Sequence, residues 1–186
     1  DLFIPDLAPV KKPPVVAPAA GSPPTLCVEC MAGSAVLTQQ WAKLGFTVRA
    51  FERNPNGTPL PEGDLCRVEN QQELAQAIMT RSVYQVHVSS DCSSFCVVAM
   101  NLNSGTRTFE RPEGDGTLQR EVEGNVGLAI AIWIILLCLR YGVYFSFEHP
   151  RRSRAFSFLL IVWMMSLQDV YLSLIHISEP TRQWQI

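Results

Sequence analysis

Hydrophobic and polar positions change period along this chain. Short apolar runs at residues 25–30, 46–51, 84–88 and 143–147 end in acidic, small or turn-forming residues, which is the form of strands. A further short strand is expected near residues 65–68, and another is expected to begin at 170–172. Between these runs apolar residues recur at helical spacing. Val36, Leu37, Trp41 and Leu44 mark one side of a helix over residues 35–44, with Ser34 as its cap and Gly45 as its stop. Leu74, Ala77 and Ile78 mark a second helix over 70–80; a long apolar helix over 119–140 and another over 156–167 follow. Alternation of this kind predicts an α/β sandwich on a largely parallel sheet. Ligands of such sheets sit beyond the carboxyl ends of the strands. Those ends fall at Glu29 to Gly33, Glu52, Asp64, Ser89 to Cys92, and Glu148 to Pro150, all polar or small.

Composition divides the chain into three parts. Residues 1–24 hold seven of the 13 prolines and no apolar periodicity, and read as a disordered linker. Residues 25–172 carry the α/β pattern. Residues 173–186 resemble a translated sequencing-adapter read-through, so the natural protein is expected to continue differently beyond Leu172, leaving the domain C-terminally incomplete, a fragment. The net charge of −2 gives no overall basic footprint for nucleic acid, though a local patch can still serve. The six cysteines lie mostly in apolar surroundings and read as reduced thiols of an intracellular protein, nuclear or cytoplasmic. Cys27 and Cys30 form a CxxC, but three positions apart in a strand they face opposite sides and cannot share a metal; no metal site is expected. The uncharged run at 126–139 is short for a membrane span and favours a core helix. Extended through Arg140 to residue 147 it defines a membrane-anchored alternative.

The order Glu29, Ala32-Gly33-Ser34, Glu52, Gly63-Asp64, Cys92-Ser93-Ser94-Phe95, Glu148-His149-Pro150 resembles that of S-adenosylmethionine-dependent methyltransferases. The resemblance is to the C5-cytosine DNA methyltransferase type, in the variety inferred from protist transcripts, and covers roughly residues 25–172 by motif order. It implies a Rossmann-like methyltransferase sandwich. It also implies that Ala32, Gly33 and Ser34, with Glu29 nearby, form the cofactor turn. Glu52 would accept hydrogen bonds from the ribose hydroxyls, and Asp64 would face the adenine amino group. Cys92 would attack the pyrimidine ring as a thiolate, and Glu148 would hold the base and assist protonation at the ring nitrogen. Three positions depart from the pattern: Ala35 stands where the turn has its last glycine, Asp91 precedes the cysteine in place of proline, and His149 replaces an asparagine. Alanine tolerates a positive φ poorly, and a neighbouring carboxylate disfavours a thiolate.

Arg107, Arg111, Arg151, Arg152 and Arg154 complete this reading as phosphate contacts of a nucleic-acid partner, DNA in first place. The main expectation is thus an S-adenosylmethionine-binding transferase acting on a nucleic-acid base, with cytosine C5 favoured. The alternative is a degenerate cofactor- or nucleic-acid-binding module without turnover, of mobile-element origin. Several of these residues also have a plainer reading: Glu52 as a solvated strand end, Cys92 as a small packed hydrophobe, Arg151, Arg152 and Arg154 as a solvated face, His87 as structural, and Trp133 and Trp163 as core.

Overall fold

The computed structural model describes residues 26–54, 57–96 and 105–173. The proline-rich segment and the tail from residue 174 lie outside them. Four strands, β1 (Leu26–Cys30), β2 (Thr47–Phe51), β3 (Val83–Val88) and β4 (Tyr144–Phe147), form one sheet in the order β2-β1-β3-β4. Every pairing is parallel. The helices are α1 (Val36–Lys43), α2 (Val68–Met79), α3 (Gln119–Tyr141) and α4 (Leu159–Met165).

Strand order and handedness together place the helices. The chain steps from β1 outward to β2, then back across β1 to β3, then outward to β4 on the other side. Right-handed crossovers put α1 on one face and α2 and α3 on the other. Contacts agree: α2 packs against α3, while α1 touches β1 and β2. Val28, Cys30, Val86 and Val88 meet Leu74, Ile78, Ala131, Ile134 and Cys138 in the main core. On its other side α3 turns Leu128, Ile132 and Ile135 toward Phe95, Ala155, Ile161 and Met164. A helix apolar all round suits this place between two clusters. It has the length and hydropathy of a membrane-crossing helix. The stretch 126–147 is nevertheless not one span, since Gly142 takes a left-handed φ of 68° and the chain returns as β4.

Three expected elements differ. Residues 65–67 form a turn, because Asp64 Oδ1 accepts the Cys66 N–H and Asn70 Nδ2 bridges the carbonyls of Pro61 and Asp64. These side-chain bonds occupy backbone groups that a strand would need. The helix expected over 156–167 begins only at Leu159. Ser153 Oγ accepts the Ala155 N–H and holds residues 154–157 as a 3₁₀ turn, after which Phe158 is extended. Residues 170–172 form no strand. Trp133 packs against the core, whereas Trp163 lies on the open side of α4 beside Leu159 and Val162.

Candidate functional site

In the order β2-β1-β3-β4 the connections after β1 and β3 leave in opposite directions, which opens a crevice above the carboxyl ends of these two strands. The turn Met31 to Ala35 lies at that point. Its backbone alternates, with Met31, Gly33 and Ala35 at φ of 59°, 54° and 52°. The turn is pinned from both neighbouring strands. Ala32 N–H donates to Phe51 O at 3.1 Å, and Ser89 Oγ donates to Met31 O at 3.2 Å. Ala32 is buried, while Gly33 and Ser34 are exposed. A Cβ built on Gly33 would meet nothing within 4 Å, so the backbone there is open to an approaching ligand.

Ser34 does not cap α1. The cap position belongs to Ala35, whose side chain offers no acceptor. Glu29 takes over from the adjoining strand: its carboxylate accepts the Thr38 N–H at 2.6 Å and the Thr38 hydroxyl. A buried carboxylate facing a helix N-terminus gains from the orphan N–H groups and the dipole there. Glu29 thus has a complete structural role in building the turn. The threonine at the third helical position was the available signal for it.

Glu52 follows β2 and reaches across the turn. One oxygen accepts the Gly33 N–H at 2.8 Å and the other the Asn54 N–H at 3.0 Å. Each oxygen keeps a free lone pair for a further donor such as a ribose hydroxyl. Gly63 makes this placement possible, since a Cβ there would lie 2.2 Å from Glu52 O. Asp64 follows, in an open depression of about 320 Å³ that Arg53, Asn54, Leu60 and Arg67 also line. Glu52 and Asp64 are therefore neighbours at one edge of the crevice. They form an acceptor pair beside an open glycine turn.

On the other side of the crevice, Glu148 N–H donates to Val88 O at 2.9 Å and brings the end of β4 against the end of β3. Asp91 accepts the Ser93 N–H at 2.8 Å and the Ser93 hydroxyl at 2.9 Å, and so opens one helical turn. Cys92 O accepts the N–H of Phe95 and of Cys96. Cys92 and Cys96 are both half-buried. Burial, the Cys92 thiol, and the charges of Asp91 and Glu148 together push the Cys96 thiol up to about 11. The Glu148 charge thus bears on the turn that carries both cysteines. His149 is 8% exposed, bonds Ser90 Oγ through Nε2 at 3.1 Å, and sits among Phe95, Phe147 and Phe156. Its Nδ1 is buried without a hydrogen-bond partner among the described residues, and burial lowers its pKa to about 4.

The five arginines divide. Arg107 is only 4% exposed and cannot reach a phosphate. Its guanidinium donates to Ser94 O, Ser94 Oγ, Pro112 O, Asn125 Oδ1 and Glu121 O, and lies 3.8 Å over the Phe95 ring. All five N–H groups are used. In sequence Arg107 stands in a polar loop; the Asn125 amide on the polar first turns of α3, which accepts from it, was the available sign of a buried partner. Arg154 is half-buried, with its guanidinium 3.5 Å over Phe109. Arg111, Arg151 and Arg152 are exposed. Arg151 and Arg152 follow Pro150 directly, on the β4 side of the crevice. Among the described residues no group of three or more His, Cys, Asp or Glu side chains could hold a metal ion.

The sequence matches no protein-family model, and no curated protein or solved structure shows significant similarity to it.

Proposed function

We propose that the chain is an S-adenosylmethionine-binding domain of the methyltransferase kind, acting on a nucleic-acid base with cytosine C5 favoured. The observation that carries this reading is the placement of an open glycine turn, Glu52 and Asp64 on one side of the switch-point crevice, with Cys92 and Glu148 on the other. The bound cofactor would supply the electrophilic methyl group. Gly33 and Ser34 would give it backbone access, Glu52 would exchange its bond to Gly33 for ribose hydroxyls, and Asp64 would meet the adenine edge. Cys92 would add to the base, and Glu148 would hold a ring N–H. Arg111, Arg151 and Arg152 remain on the surface as cations for the phosphate backbone.

A second reading, cofactor binding without turnover, draws on one observation. The charges of Asp91 and Glu148, both negative, oppose a thiolate at Cys96, one helical turn from Cys92.

Calorimetry with S-adenosylmethionine on the folded chain tests both readings. Binding lost on Glu52→Ala supports either, and no binding by folded protein ends both. Transfer of labelled methyl to DNA, abolished by Cys92→Ser, selects the enzyme; binding without transfer selects the module.

A further inference from the structure

We propose that Cys92 and Cys96 form a reversible disulfide that closes the site. The inference rests in part on the methyltransferase reading, since the bridge matters most if Cys92 is the nucleophile. Its chemistry stands on geometry alone. Cys96 N–H donates to Cys92 O at 3.1 Å, so the residues lie one helical turn apart with side chains on one face. Both cysteines are half-buried, within reach of a small reagent. The other cysteines do not compete for this bridge. Cys27, Cys30 and Cys138 are buried in the core, and Cys66 lies apart, beyond the β2 edge.

A bridge across a single helical turn must draw the two Cβ atoms closer than helical spacing sets them. Such a bond is strained, and strained bonds are the readily reduced ones. Reversibility therefore follows from position. Asp91 and Arg107 hold the turn from either end, through Ser93 and Ser94, so the pair stays aligned in both states.

The oxidant is a small-molecule disulfide such as oxidised glutathione. The Cys92 thiolate attacks one sulfur, forms a mixed disulfide and releases one glutathione thiolate. Cys96 gives its proton to solvent and displaces the second glutathione, completing the protein bridge. Two protein thiols are oxidised by two electrons, and one glutathione disulfide becomes two thiols.

Both cysteines fall on one tryptic peptide, residues 82–107, which contains no other. The full chain with Cys66→Ser is incubated with oxidised glutathione, folded and in urea, then digested and weighed. The expected result is loss of two hydrogens from peptide 82–107, faster in the folded chain and restored by dithiothreitol. With Cys96→Ser added, Cys92 should instead carry one glutathione. Free thiols or glutathione adducts on the unmutated peptide overturn the proposal, as does bridging no faster than in urea. Cofactor binding and methyl transfer are measured on both forms. Bridging in a chain that binds no cofactor upholds the pair and removes the methyltransferase reading. Methyl transfer that survives full bridging overturns closure.

Discussion

The two halves of the sheet hold their carboxyl-end turns by different means. After β1, the turn Met31 to Ala35 takes three left-handed residues and is fastened by two carboxylates reaching from strand ends, with Gly33 and Ser34 open to solvent. After β3, the turn at Cys92 to Cys96 is fastened through Ser94 to a buried guanidinium with every donor filled. The Glu52 bonds at the first turn face water and can be exchanged for bonds to a ligand. The Arg107 bonds at the second lie in a low-dielectric interior, where breaking one strands its partner. One side of the crevice can give and the other is pre-organised, as the proposed cofactor and reacting group would respectively need.

The sharpest way to break this comparison is Arg107→Met. It leaves Ser94 O, Pro112 O, Glu121 O and Asn125 Oδ1 without their donor. Removing one side of a buried charged network costs about 3–5 kcal/mol, read as a lower urea midpoint. A loss below ~1 kcal/mol would mean that the second turn is no firmer than the first. Next in size is an acid effect from the same half. Burial lowers the His149 pKa from 6.5 to about 4, against the pull of Asp91. The folded chain keeps the ring neutral, so on acidification the unfolded chain binds the proton first. The contribution is complete above pH 6.5 and is lost as the pH falls to about 4. Over that window it amounts to about 3 kcal/mol. Burial lowers the pKa of His87 as well, adding a loss of the same sign. Urea midpoints between pH 7 and 4 should fall, and His149→Phe should flatten the fall.

Gly63→Ala tests the first half. The new methyl would sit 2.2 Å from Glu52 O and must push the end of β2 aside. Overpacking of this kind costs about 1–3 kcal/mol. Because the displaced residue carries the acceptor at the turn, cofactor affinity should fall by more than the stability loss alone explains. Equal affinity at reduced stability would separate Gly63 from the site.

Four of the six expected strands, three of the four helices and the parallel sheet were legible because each follows from hydrophobic period and local turn chemistry. The failures share a cause. Ser34 carried the side chain of a cap, yet Glu29, nine positions before its partner Thr38, satisfies that helix end from a neighbouring strand. Arg107 carried the charge of a phosphate contact, yet residues before and after it in sequence converge to bury it. Residues 65–67 had strand-like composition, yet Asn70 drew the preceding carbonyls into a turn. In each case a long-range or side-chain-to-backbone hydrogen bond overrode the local preference, and no periodicity encodes such a bond. Glu52 was legible for the opposite reason, since it terminates a strand and its position follows from the strand alone.

The smallest expected effect returns to the first turn. Ala35 sits at φ 52° and ψ 37°, where a Cβ costs about 1–2 kcal/mol. Ala35→Gly removes that strain, and the freer unfolded chain gives back about 0.4–1 kcal/mol. The net change is a stabilisation of roughly 0–1.6 kcal/mol, seen as a higher urea midpoint with an unchanged slope. Glycine inside an ordinary helical turn has the opposite sign, a loss of roughly 0.5–1 kcal/mol. The direction of this one midpoint therefore reports whether the turn is strained, and with it whether the half of the crevice that gives is held in tension by its own backbone.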